Sequence, residues 1–391
     1  MRRLLLKAAG GVVAVMLAIF IGATYHKTQW VQRGNPGLGM ELIDTDEHLA
    51  AKEKANRLPY AFPPASTDGP RAVDAYKNVQ VLGHLSTGEM TRLMTAITTW
   101  VAPEQGCAYC HAPQRDAAGE IVKNAQGYAL ADQERLWSDE LYTKRVGRRM
   151  LQMTMHVNSD WKAHVQETGV TCYTCHRGNP VPANFWYKQP ETYTNGGLTA
   201  DSAGQNHPSR VAGLASLPAD PFTSFLDGDE GIRVISTEAL PIDNRSSIKQ
   251  TEWTYALMMH FSNALGVNCT YCHNSRSMAE WSVSPAARTT AWHGIRMVRD
   301  LNQNFLGPLA STFPPERLGE MGDSPKVNCA TCHNGAFKPL LGESMLKDYM
   351  VLAKAEPQPA KTIVAPATAA PVTSPPKGAV PSKAPPSAPK N

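Results

Sequence analysis

Apolar side chains are scarce in this chain. Only 42% of its 391 residues are hydrophobic, against 30 prolines and 29 glycines. Length alone would allow two or three ordinary domains, but this composition excludes a core built from side chains alone. No cysteine is spare: all eight stand in one repeated pattern, which excludes a lipidated N-terminal cysteine. A good small-residue cleavage site is also missing after the N-terminal apolar stretch, because Ile21 stands where a small residue is needed before Ala23. There is no broad basic surface either. The formal charge of +4 is carried by the two ends, +3 on residues 1–24 and +4 on the segment from 353, which leaves about −3 for the body. Nucleic-acid binding is therefore not suggested, and an acidic body would steer a basic soluble partner.

The cysteines fall into four copies of C-x-x-C-H: Cys107, Cys110 and His111; Cys172, Cys175 and His176; Cys269, Cys272 and His273; Cys329, Cys332 and His333. This spacing is that of c-type haem attachment, two thiols for the two vinyl groups and a histidine for the iron. Zinc would want paired C-x-x-C or histidine knuckles, with no need of His after each pair. A thioredoxin-like pair is normally single. Four complete copies point to four covalent haem c groups, so porphyrin replaces much of the missing apolar core. Each propionate pair makes the body more acidic still. Such attachment occurs outside the bacterial cytoplasm.

Export agrees with the N-terminus. Arg2, Arg3 and Lys7 precede an uncharged stretch from Ala8 to Tyr25, near the ~20 apolar residues a spanning helix needs. The basic flank sets the N-terminus inside and the remainder outside. We expect three parts: 1–24 as a retained membrane anchor, 25–352 as a periplasmic domain, and 353–391 as a disordered Pro/Ala-rich tail.

Motif spacings of 65, 97 and 60 residues describe two close pairs and suggest an internal duplication. Apolar periodicity before each motif predicts a helix, as in "TGEMTRLMTAITTWV" and "TEWTYALMMHFSNAL". The expected fold is mainly α with much irregular loop, two pseudo-repeated pairs of helix-turn-CxxCH units behind one N-terminal membrane helix. "GIRVIST" reads as a short strand, and Thr24–Ala72 as extended chain with a helical turn or two. Sixth ligands should come from the helices. Met94 lies 13 before Cys107, Met150 22 before Cys172 and Met258 11 before Cys269. Met90, Met153, Met155 and Met259 compete with them, and spacing does not choose. His260 reads as a satisfied surface or core histidine, since two positions from Met258 it faces elsewhere on the helix.

"WVAPEQGCAYCH", "GVTCYTCHRGNPVP", "ALMMHFSNALGVNCTYCHN", "AWHGIRMVRDLN" and "CATCHNGAFKPLLGESMLKDY" together resemble the tetrahaem cytochrome c subunit of purple-bacterial photosynthetic reaction centres, over roughly residues 25–350. The resemblance implies three Met/His haems, Met94 with His111, Met150 with His176 and Met258 with His273. It implies one bis-His haem, His164 with His333. We expect Asp160 to cap a short helix carrying His164, after a break at Asn158–Asp160. Arg288 matches an arginine beside the third haem. The implied role is electron transfer from a soluble cytochrome c or high-potential iron–sulfur protein, entering near Cys107/Cys110. Electrons then pass to the photo-oxidised bacteriochlorophyll special pair of the L and M subunits, near Cys269/Cys272. With every iron six-coordinate the protein is an electron carrier and not an enzyme. The alternative is a membrane-anchored multihaem quinol dehydrogenase or reductase component, which calls for bis-His ligation or an open iron.

Overall fold

The computed structural model describes residues 2–24, 28–31, 42–59, 63–190, 217–218, 220–234 and 248–354. The Pro/Ala-rich segment from residue 355 onward lies outside them. Helix α1 spans Arg2–Thr24, and its residues from Val12 to Ile21 hold their large apolar side chains in the open. Among the described residues, no helix is long and apolar enough to cross a membrane.

A two-stranded antiparallel hairpin follows, β1 (Thr28–Val31) against β2 (Leu42–Thr45), with Trp30 opposite Ile43. Helix α2 (Asp46–Ala55) starts directly after it, because the Thr45 hydroxyl accepts the His48 amide at 3.1 Å and caps the first turn. The sequence reading allowed a helical turn here. The helix has ten residues, and the strands escaped notice because four-residue strands leave too short an alternation to register.

Helix α3 is one turn, Ala72–Ala75. Helices α4 (Thr87–Val101), α5 (Tyr142–Asp160), α8 (Ile248–Leu265) and α9 (Ala287–Asp300) are the long elements, one before each motif. Ser86 caps α4 through the Glu89 amide. Glu89 itself reaches the Ser66 amide and the buried Arg92 guanidinium, tying an irregular segment onto the helix. Helix α9 runs on into a π-helix, Leu301–Leu306, and then a 3-10 turn, Gly307–Ser311, opened by Pro308. The expected strand in "GIRVIST" is absent over residues 231–234, and 235–237 lie outside the described residues.

Two apolar clusters hold the helices. One joins α4 and α5 to the C-terminal segment through Trp100, Leu93, Met155, Tyr349 and Leu352, with the Trp100 and Tyr349 rings edge to face at 4.8 Å. The other gathers Leu226, Phe222, Phe225, Leu257, Val298 and Leu301. Buried Asn158 locks α5 to that C-terminal segment, donating to the Leu352 carbonyl at 2.8 Å and the Val170 carbonyl at 2.9 Å.

Asn158 does not break its helix, as sequence reading had it. Helix α5 continues through Asp160 and stops at Trp161, and α6 (Lys162–Val165) begins there without a side-chain cap. Asp160 instead holds His156 at 2.8 Å. The aspartate satisfies an imidazole one turn back, and the polar side chain of Asn158 is spent on distant carbonyls, so neither competes with the helix backbone.

Candidate haem cavity

The four motifs take two local forms. Cys107–Tyr109 and Cys269–Tyr271 are 3-10 turns. Cys172–His176 and Cys329–His333 are short helices, α7 and α10. Thr171 and Asn328 cap these two through capping boxes with Thr174 and Thr331, and Arg177 and Asn334 end them in left-handed conformation. The first and third motifs are thus alike, as are the second and fourth. Packing repeats the order, with α7 on α4 and α10 on α8, and the two short helices meet each other.

Asn56, 1% exposed at the end of α2, pins that junction. It donates to the Asn334 carbonyl at 3.2 Å, and its own side-chain oxygen accepts from Arg177 and from the Leu340 amide, both at 3.2 Å. Arg177 also donates to the Cys332 carbonyl at 3.1 Å, so one guanidinium bridges the second and fourth motifs.

All eight motif cysteines, the four motif histidines, Met94, Met150, Met258 and His164 line one continuous cavity of about 1100 Å³. That exceeds the ~300–1,000 Å³ of a single small-molecule site. The lining is largely apolar, as a porphyrin face requires. Desolvation pushes the Cys110 and Cys272 thiols up to about 11 and those of Cys172 and Cys329 up to about 12. Neutral thiols facing an apolar cavity fit thioether attachment.

Cys175 and Cys332 meet as a disulfide, with Cα atoms 4.5 Å apart. The sequence reading did not foresee this pairing. A sulfur bonded to a porphyrin carbon has no valence left for a neighbouring sulfur, so disulfide and attachment exclude each other at these two positions. The contact does bring the second and fourth motifs side by side.

The histidines share one device. His111 Nδ1 lies 3.1 Å from the Leu136 carbonyl, His176 Nδ1 2.9 Å from that of Asn179, His273 Nδ1 2.8 Å from that of Met278, and His333 Nδ1 2.9 Å from that of Ala336. His164 does the same with Thr290 at 2.9 Å. A carbonyl only accepts, so each Nδ1 carries the proton and each Nε2 keeps its lone pair for a metal. Burial lowers all five imidazoles below the usual histidine value, His333 to about 4, which keeps them neutral as ligands must be.

The His164 ring stands on α9 at Gly294, where an added Cβ would come within 2.5 Å of it. Its centroid is 6.0 Å from that of His333.

The methionines separate less cleanly. Met258 lines the cavity while Met259 does not, and Met155 belongs to the core. Met90 and Met153 line it along with Met94 and Met150. His260 is in the core, 5% exposed against Phe222, and among the described residues its Nε2 has no hydrogen-bond partner. Arg288 lies near His273 and donates to the Ser284 hydroxyl at 2.8 Å while covering the Trp281 ring at 4.0 Å. Sequence reasoning missed Gly294 and the five ring-bonded carbonyls. A glycine inside "AWHGIRMV" is a signal for close approach, whereas backbone carbonyls leave none.

Known proteins are similar in sequence over most of this chain. The photosynthetic reaction centre cytochrome C subunit family matches residues 24–353. The photosynthetic reaction center cytochrome c subunit of Rubrivivax gelatinosus is 47% identical over 354 residues, 90% of this chain and 91% of that one. Its namesake from Thermochromatium tepidum is 45% identical over 91% of this chain and 83% of its own length. That of Roseobacter denitrificans is 38% identical over 84% and 87%. A mainly helical chain whose four C-x-x-C-H motifs open on one cavity thus belongs to the family of photosynthetic reaction centre cytochrome c subunits.

Proposed function

We propose that this chain holds four covalent haems and carries electrons from a soluble periplasmic donor to the photo-oxidised bacteriochlorophyll pair of the L and M subunits. The observation that carries the reading is the single cavity lined by all sixteen attachment and ligand residues. Once bound, the haems supply one-electron redox chemistry; the protein's part is to attach, ligate and tune. The paired thiols of each motif would fix a porphyrin in place, Cys175 and Cys332 taking part as reduced thiols and not as the disulfide between them. His111, His176, His273 and His333 offer Nε2 from one side, with Nδ1 tied back so that the ring cannot turn. Met94, Met150 and Met258 would supply thioether sulfur as second ligands, which raises potential. His164 faces His333 and makes the fourth site bis-His, so that site is of lower potential.

With two protein ligands available for each iron that would bind, substrate would find no open position, and the molecule would act as a carrier. The repeated motif forms support an internal duplication of one pair of units. Helix α1, with its exposed apolar run behind Arg2, Arg3 and Lys7, serves as the membrane anchor at the periplasmic face. Electrons enter at the Cys107/Cys110 end from a soluble cytochrome c or high-potential iron–sulfur protein. They leave at the Cys269/Cys272 end, where the cation Arg288 favours the reduced state.

Haem stoichiometry tests the reading. Pyridine haemochrome analysis should give four haems per chain, and carbon monoxide should leave the native spectrum unchanged. A count of three or fewer would return Cys175 and Cys332 to a disulfide and break the scheme. Carbon monoxide binding would open an iron and favour the reductase reading.

A further inference from the structure

The ring-bonded carbonyl of the first motif has a second donor. Leu136 accepts from His111 Nδ1 at 3.1 Å and, on the same oxygen, from the Lys144 ammonium at 2.6 Å. Lys144 comes from the first turn of α5, and its side chain is 11% exposed and lines the cavity. Its remaining partners are the Ser138 carbonyl at 2.9 Å and Asp139 at 3.5 Å. Asp139 gives its nearer oxygen to Arg148 at 2.7 Å, one turn along α5. Two cations therefore share one carboxylate beside His111, and one positive charge is left over. At the third motif the arrangement differs: Arg288 donates to the Ala279 and Glu280 carbonyls and not to the Met278 oxygen that His273 uses.

We propose that Lys144 is a positioning residue for electron transfer, raising the reduction potential of the haem attached at Cys107 and Cys110 by competing with His111 for the Leu136 carbonyl. The inference rests on the ligand reading above. Two effects act in one direction. A carbonyl already bonded to an ammonium is a poorer acceptor for Nδ1–H, so His111 keeps less electron density to give the iron. Ferric haem also carries one more positive charge than ferrous, so a nearby cation in a dry site disfavours the oxidised form. The couple is one electron taken up by the iron, with no change at Lys144. A cation held by the fold thus makes the entry site a stronger acceptor, which suits the point at which a soluble donor delivers.

Potentiometric titration of the purified holoprotein at one pH tests this. Lys144→Met should lower one of the four waves by about tenfold in its electron-sharing equilibrium, ~59 mV for a one-electron couple. Lys144→Arg, which keeps the charge, should restore it. Asp139→Asn removes the carboxylate and should move the same wave upward. Met94→His identifies the wave, because it should lower the haem that His111 holds. Four low-spin haems with unmoved waves in both Lys144→Met and Asp139→Asn would overturn the proposal and leave Lys144 a brace for the 136–139 loop. If Met94→His moves no wave, the ligand reading of the first motif has failed instead. Should Lys144→Met not assemble, the Asp139→Asn and Lys144→Arg pair decides alone.

Discussion

A neutral imidazole with one nitrogen tied to a carbonyl and the other aimed into an apolar cavity is the residue-scale unit of this protein, used five times. In the proposed scheme a thioether partners three of the four motif histidines and His164 the fourth, and that choice sets potential. Met258→His should keep the haem at Cys269/Cys272 low-spin and lower its wave in a redox titration; four unchanged waves would make Met258 a packing residue. His260 shows what burial costs an imidazole. Burial, and then the neighbouring His333, push it down to about 3, whereas the unfolded chain titrates it near 6.5. Between those values the unfolded state binds a proton that the folded state refuses. Stability is therefore complete above ~6.5 and lost as pH falls toward 3, by on the order of 1 kcal/mol per pH unit. His260→Leu should flatten that loss, read as denaturant midpoints at pH 7 and pH 5 that move closer together than in the parent. At this scale the sequence shows which residue types are needed but not their partners. Cysteine spacing names its own chemistry, while Met94 against Met90 depends on helix rotation, and the Leu136 carbonyl is invisible in a sequence.

At the scale of elements, each long helix delivers one face to the cavity, and small features aim it. Gly294 is the plainest case. Its missing side chain lets His164 lie against α9 and reach His333. Gly294→Ala puts a methyl group 2.5 Å from that ring, and the imidazole must withdraw. One haem should then lose its low-spin bis-His signature in electron paramagnetic resonance and bind carbon monoxide, while the other three stay as they were. Unchanged spectra would mean that His164 ligates elsewhere. Asn56→Ala tests the junction of the second and fourth motifs. It leaves the Leu340 amide without its acceptor, takes one of several acceptors from Arg177, and should cost ~1–3 kcal/mol in chemical denaturation. The long helices were legible from apolar periodicity. The end of α5 was not. Asn158 and Asp160 look like helix breakers, and only the structure reveals that both side chains are engaged otherwise, Asn158 with a tertiary partner 194 residues away and Asp160 with His156 one turn back on the same helix.

For the whole molecule, the C-x-x-C-H motifs announced covalent haem, and the cofactor explains the thin apolar composition. What composition could not show is that all four sites open on one cavity, because that depends on α7 meeting α10 across 157 residues of chain. The hairpin before α2 was equally hidden, its strands too short to show a period. The acidic body gives a kinetic expectation: reduction by a basic soluble donor should slow as ionic strength rises, since screening shortens the reach of its field to ~8 Å at 0.15 M. A rate indifferent to salt would remove electrostatic steering from the account. The central claim is that this chain re-reduces the photo-oxidised special pair, and flash spectroscopy on membranes tests it most directly. After one flash, recovery of the bacteriochlorophyll pair should coincide in time with oxidation of a c-type haem, and both signals should vanish when the gene segment encoding Cys269–His273 is altered to prevent attachment. Recovery of the pair at an unchanged rate, with no matching haem oxidation, would contradict it.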